Sequence, residues 1–221
     1  MPHSDDTAFA DWLRKVFDHP VQDPEWYWDE NTDTSEPAPE ATVAFLTRLF
    51  EDPEPVLAPY TDAQINQGLW YLASHSCSNH ACRLVLPDVP WPQRRRGIRS
   101  VATLFEKLFA RRCTDHLLHL DEAGANPLNS VCYIWWDTFA ACGRPVDADQ
   151  ADVAAELIAV MVKTLALDSL ACQESALHGL GHWQLHHSEA VRPAIEEFLE
   201  REDVRPELRT YAEHAWHGYV Q

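Results

Sequence analysis

The string HGLGHWQLHH, residues 178–187, holds the residues best suited to chemistry. With Glu174 before it, Glu174, His178, His182 and His186 recur every four residues, which on a helix is one face. Two His at i and i+4 can offer two ring nitrogens to one cation, which is why zinc-binding helices use that spacing. A further carboxylate or imidazole must come from another part of the chain, and Asp137 and His214 are the candidates. The metal set is then Asp137, His178, His182 and His214, with a divalent ion such as zinc as the cofactor. No HExxH motif is present, so a metalloprotease helix is not indicated. The alternative is a His-rich helix face with no cofactor.

Other reactive residue types cluster less clearly. His75, Cys77, His80 and Cys82 suit zinc, but without the paired CxxC knuckles of structural sites. Cys113, His116 and His119 fall at i, i+3 and i+6, a spacing that also describes a helix end, where His and Arg suit the dipole. Arg94, Arg95, Arg96 and Arg99, with Arg111 and Arg112, would hold an anion or form a solvated face. There is no glycine-rich phosphate loop and no nucleophile elbow. Cys132 and Cys172 lie in helical patterns and read as core thiols.

Helices must position these groups. Ile98, Val101, Ala102, Phe105, Leu108 and Phe109 make one apolar stripe with the i, i+3, i+4, i+7 pattern. Val131, Ile134, Trp135, Thr138, Phe139 and Cys142 make another, on a helix apolar enough all round to be central. Further helices are expected near 7–18, 40–51, 61–74, 152–167, 169–186, 189–202 and 205–220, and no segment alternates with period two. NTDTSEPAPE is a polar, Pro-containing linker. The expected fold class is all-α, with an acidic helical region and Pro-rich linker over 1–60 and stacked antiparallel helix pairs over 61–221.

The pairs are alike. GLWYLASH, VCYIWWDT, ALHGLGHW and AEHAWHGY superpose, at spacings near the roughly 40-residue period of α-solenoids. ACQESALHGLGHW, the helix EAVRPAIEEFLER and the pair RPELRTYAEHAWHG resemble bacterial HEAT-repeat proteins, most clearly over residues 150–221. That resemblance implies a helix-pair solenoid that binds partners along its inner surface. Matching positions on the second helices then form rows: Asn66, Asn129, Glu174 and Thr210; Trp70, Tyr133, His178 and His214; Ser74, Asp137, His182 and Gly218. The inner-surface binding set is Asn66, Trp70, Asn129, Tyr133, Asp137, Glu174, His178, His182 and His214.

Charge narrows the partners. The 221 residues carry a formal net charge of −18, which disfavours nucleic acid because phosphate binding needs surplus Lys and Arg. The acidity is uneven: residues 1–62 hold fifteen acidic against three basic groups, residues 63–130 five against eight, and residues 131–221 fifteen against six. No run is apolar enough to span a membrane, and the N-terminus is not a signal peptide. A cytoplasmic protein with its six Cys reduced is expected. The functional expectation is a non-catalytic solenoid that binds a protein or peptide and needs no cofactor. The alternative is a metal-binding protein or metal-dependent enzyme.

Overall fold

The structure, a computed structural model, describes residues 3–139 and 151–220. Its helices are α1 (His3–Phe17), α2 (Pro39–Glu51), α3 (Pro53–Leu57), α4 (Asp62–Ala73), α5 (Cys82–Val85), α6 (Trp91–Leu104), α7 (Ala110–Arg112), α8 (Pro127–Tyr133), α9 (Trp135–Thr138), α10 (Ala151–Leu165), α11 (Leu170–Leu199) and α12 (Pro206–His217). Among the described residues there is no strand. The chain is all-α, as its periodicity requires.

Local chemistry fixes the helix starts. Thr61 and Gln64 form a capping box at α4, and the Ser169 hydroxyl accepts from Cys172 N at α11, each satisfying an orphan backbone donor. Pro39, Pro53, Pro92, Pro127 and Pro206 sit in first turns, where the missing N–H costs nothing. The expected linker is tied down: Lys15 Nζ donates to the Ser35 carbonyl and hydroxyl, and Asn79 N donates to Glu36 Oε1.

Helices pack in two rows. α2 lies on α6 and α6 on α10; α1 lies on α4, α4 on α8, α8 on α11 and α11 on α12. α10 packs on α11 and joins the rows. One connected apolar core runs from Phe9 to Val220. Its centre is Trp135, fully buried, with edge-on contacts to Phe50, Phe105 and Phe109 at centroid distances of 6.0, 6.0 and 5.9 Å. Phe139 stacks on it at 5.0 Å and is also buried.

Two expectations need correction. The single helix expected across 129–142 breaks at Ile134 (φ −86°, ψ 6°), and Phe139 is extended. Tyr133, Ile134, Trp135 and Trp136 are middling helix formers, and burying both Trp rings overrides the helical repeat. Positions 140–142 lie outside the described residues. The break expected between helices at 169–186 and 189–202 is present: α11 is kinked at His187, whose φ/ψ are non-helical. Cys82 is disulfide-bonded, while Cys77, Cys113, Cys132 and Cys172 are free and Cys142 lies outside the described residues. Pairing follows spatial approach, which irregular sequence spacing does not report.

His75 is exposed. His80 is buried and structural: Trp12 Nε1–H donates to its Nε2 at 3.1 Å, so the ring proton sits on Nδ1 and meets Ser78 Oγ at 3.0 Å. Of the basic groups, Arg111 is exposed and the other five are committed. Arg94 donates to the Val89 and Val85 carbonyls, Arg95 and Arg99 share Glu156, Arg96 pairs with Glu51 and Arg112 with Asp62.

Two outcomes follow. Trp135→Ala should lower stability by about 3–5 kcal/mol in denaturant titration; its indole N–H has no acceptor, so this cost is one of packing. Burial pushes His80 down to about 4 from 6.5. The unfolded chain therefore binds one more proton between those values, and stability should fall as pH drops from 6.5 towards 4, by roughly 3 kcal/mol in all. Denaturant titrations of wild type and His80→Gln across that range should show the wild type falling more steeply.

Candidate metal centre

Three side chains meet where α9 abuts α11. Asp137 is in the last turn of α9, and His178 and His182 are one turn apart on α11. His178 Nε2 lies 2.8 Å from Asp137 Oδ2 and His182 Nε2 lies 2.9 Å from Oδ1. The two Nε2 atoms are 3.2 Å apart. Among the described residues this is the one group of three or more His, Cys, Asp or Glu whose ligand atoms all lie within 4.8 Å of one another.

Close packing produces the meeting. A Cβ on Gly179 would lie 2.6 Å from Trp136 Cγ, and one on Gly181 would lie 2.6 Å from a Val220 methyl. Both glycines therefore admit neighbours to α11 and leave no ligand space. With Trp136 seated on Gly179, the next residue, Asp137, reaches His178.

The trio spans a gradient of exposure. His178 is buried, whereas the side chains of His182 and Asp137 are 28% and 35% exposed. Burial alone would raise the Asp137 carboxyl, but the two imidazoles beside it, His178 and His182, hold it well below the usual carboxylate range. Asp137 Oδ1 is sealed from solvent and has no aligned hydrogen-bond donor, although His182 Nε2 lies 2.9 Å away. A sealed, unsatisfied carboxylate oxygen between two imidazoles calls for an explanation, and a cation is one that this donor set could hold. Around a tetrahedral zinc with bonds of about 2.0–2.1 Å, neighbouring ligand atoms stand about 3.3 Å apart. The Nε2 pair already has that separation, and the carboxylate need retreat by only a few tenths of an ångström.

A second set of groups supports the first. Tyr211 Oη is 2.6 Å from His178 Nδ1 and 3.3 Å from Tyr133 Oη. Tyr133 packs against the His178 ring with centroids 4.6 Å apart. Burial raises both phenols, so both remain O–H donors. His119 stacks on Tyr211 at 4.1 Å, and its Nδ1 bonds Glu174 Oε1 at 2.6 Å.

The remaining expected site residues separate. Glu174 is buried and turned away from the trio, accepting from Leu118 N at 3.1 Å and His119 N at 3.0 Å. Asn129 is buried and pins residue 114, accepting from Thr114 N and donating to its carbonyl. Asn66 Oδ1 accepts from Val131 N, and Trp70 packs partly buried against the core. His214 is exposed and lies outside the trio. The face of α12 turned inward carries Leu208, Tyr211, Ala212 and Ala215, and position 214 is rotated off it. Tyr211 was missed because aligning the Trp-His pairs fixed the wrong register; the apolar stripe around it was the available signal. His119 was visible only as part of the Cys113, His116 and His119 spacing.

No protein-family model matches the chain, and no curated protein or solved structure is significantly similar to it.

Glu174→Ala should remove the acceptor of two backbone N–H groups and the partner of His119. A loss of at least about 2 kcal/mol in denaturant titration is expected, since a buried donor left unpaired costs about 1–3 kcal/mol.

Proposed function

We propose that this protein binds one divalent transition-metal ion through Asp137, His178 and His182. The supporting observation is the convergence of three ligand atoms around a sealed carboxylate oxygen that lacks an aligned donor. Two imidazoles and a carboxylate, without thiolate, suit zinc or ferrous iron better than Cu(I) or calcium. Three protein ligands leave a coordination position vacant, the pattern of sites that take up water or an outside ligand rather than of closed structural sites. The partial exposure of Asp137 and His182 supplies the approach. The chemistry open to such a centre is Lewis-acid activation of a bound water or carbonyl, or ligand exchange at ferrous iron.

A second reading concerns the helix rows. The order α4, α8, α11, α12 beside α2, α6, α10 supports a HEAT-like α-solenoid that binds a protein or peptide. Leu185 and Tyr219 favour it: they are 79% and 75% exposed, one on α11 and one just beyond α12. On this reading Tyr133, Asp137 and His182 border the binding face.

Elemental analysis of protein purified without a His-tag or metal column should find about one equivalent of zinc or iron. His178→Ala and His182→Ala should each abolish uptake. Well-folded wild-type protein that neither carries nor takes up either metal would overturn the metal reading and leave the partner-binding one.

A further inference from the structure

Three free thiols, Cys113, Cys132 and Cys172, are distant in sequence and meet where the segment after α7 lies against α8 and α11. Thr114 N donates to Asn129 Oδ1 at 3.0 Å, and Asn129 Nδ2 donates back to the Thr114 carbonyl at 2.8 Å. That clamp holds residue 113 against the first turn of α8. Cys132 stands three residues beyond Asn129, on the same face of that helix. α11 meets Cys132 as well: the Ser175 hydroxyl donates to its carbonyl, and its Sγ lies 3.7 Å from the carbonyl of Ala171, the neighbour of Cys172. The Cys132 thiol is hydrogen-bonded with both the Cys113 and the Cys172 side chains.

The three thiols differ in access. Cys132 and Cys172 are fully buried, whereas Cys113 is partly exposed. A dissolved reagent therefore meets Cys113 first. Burial, with the two thiols beside it, raises Cys132 well above the ordinary thiol range, so it keeps its proton until a partner sulfur is attacked. The set suits covalent chemistry better than ion binding. The three sulfurs do not all lie within 4.8 Å of one another, and a small soft ion held by three thiolates needs all of them close.

We propose that Cys113 and Cys132 are a hydroperoxide-sensitive pair that closes a reversible disulfide, Cys113 meeting the oxidant and Cys132 resolving it. The Cys113 thiol loses its proton and attacks a peroxide oxygen. An S–O bond forms, the O–O bond breaks, and the leaving hydroxide takes up the proton as water. The Cys132 sulfur then attacks the Cys113 sulfur. The S–S bond forms, the S–O bond breaks, and the hydroxyl leaves with the Cys132 proton as a second water. Two thiols are oxidised to one disulfide and one peroxide is reduced to two waters. The closed bond ties residue 113 to α8, and with it the segment whose Leu118 and His119 N–H groups Glu174 holds. None of these steps uses the Asp137–His178–His182 centre.

The test is treatment of the purified protein with hydrogen peroxide, alkylation of the remaining thiols without reductant, and peptide mapping by mass spectrometry. A Cys113–Cys132 linked peptide with the loss of two hydrogens is expected, and a dithiol reductant should restore both thiols. Cys132→Ala should leave Cys113 as a sulfenic acid that a dimedone probe captures. Should that buried change unfold the protein, Cys113→Ser, at the more exposed position, still decides: Cys132 should then stay reduced under the same treatment. Wild-type Cys113 and Cys132 that both remain thiols while Cys77 is oxidised would overturn the proposal. So would Cys113 carried to sulfinic acid without a link, Cys113 joined to Cys172 instead, or Cys132 oxidised in Cys113→Ser.

Discussion

The absence of a side chain at position 179 is the constraint on which the site depends. The Trp136 ring lies where a Cβ would be, and it stacks on Phe105 at 5.7 Å with planes 8° apart. Trp136 is thus clamped between α11 and the aromatic core. Asp137 is the next residue, and its carboxylate has little freedom once that ring is seated. A glycine inside a helix costs about 1 kcal/mol relative to Ala. Here that cost is offset by an approach no other residue allows. The same close contact joins packing to electrostatics, since it places a carboxylate against two imidazoles.

Burial gives those contacts their strength and their risk. Low local dielectric strengthens hydrogen bonds but penalises each unpaired polar group. His178, Glu174 and Tyr211 are all buried, and each is bonded: His178 to Asp137 and Tyr211, and Glu174 to residues 118 and 119. Asp137 Oδ1 is the exception. Trp135 and Trp136 Nε1 are also without acceptors, but Asp137 Oδ1 is the unsatisfied acceptor at the trio, the position where a positive charge would help most.

Much of this was legible in the sequence, and the failures have physical causes. Apolar stripes with a 3.6-residue period located α2, α4, α6, α10 and α12 within a few residues, because burying one face of a helix forces that repeat. The four-residue spacing and the matched positions of successive helices brought Asp137, His178 and His182 into one set, and their side chains do meet. Matching by motif failed for α12, where packing follows the stripe through Leu208, Tyr211 and Ala215 rather than the Trp-His pair. Asn129 and Glu174 looked like binding groups because sequence shows a polar residue but not its partner. In the structure their partners are backbone N–H groups of the segment from residue 114 to 119.

Glu174, His178, His182 and His186 share one helix face yet do four different things, and spacing alone does not distinguish them. Depth does. Glu174 is 1% exposed and lies where a loop crosses α11, so its carboxylate bonds backbone donors. One turn on, His178 is equally deep but faces α9 and α12, and both its nitrogens are engaged. A further turn brings His182 to the edge, with its side chain 28% exposed, still in reach of Asp137 and open on its far side. His186 is exposed, one residue before the non-helical His187, and has left the packed part of the molecule. A regular sequence pattern thus becomes a graded series because the helix runs from core to solvent. The pair at the boundary, one buried and one partly exposed, is the pair on which the proposed metal site rests.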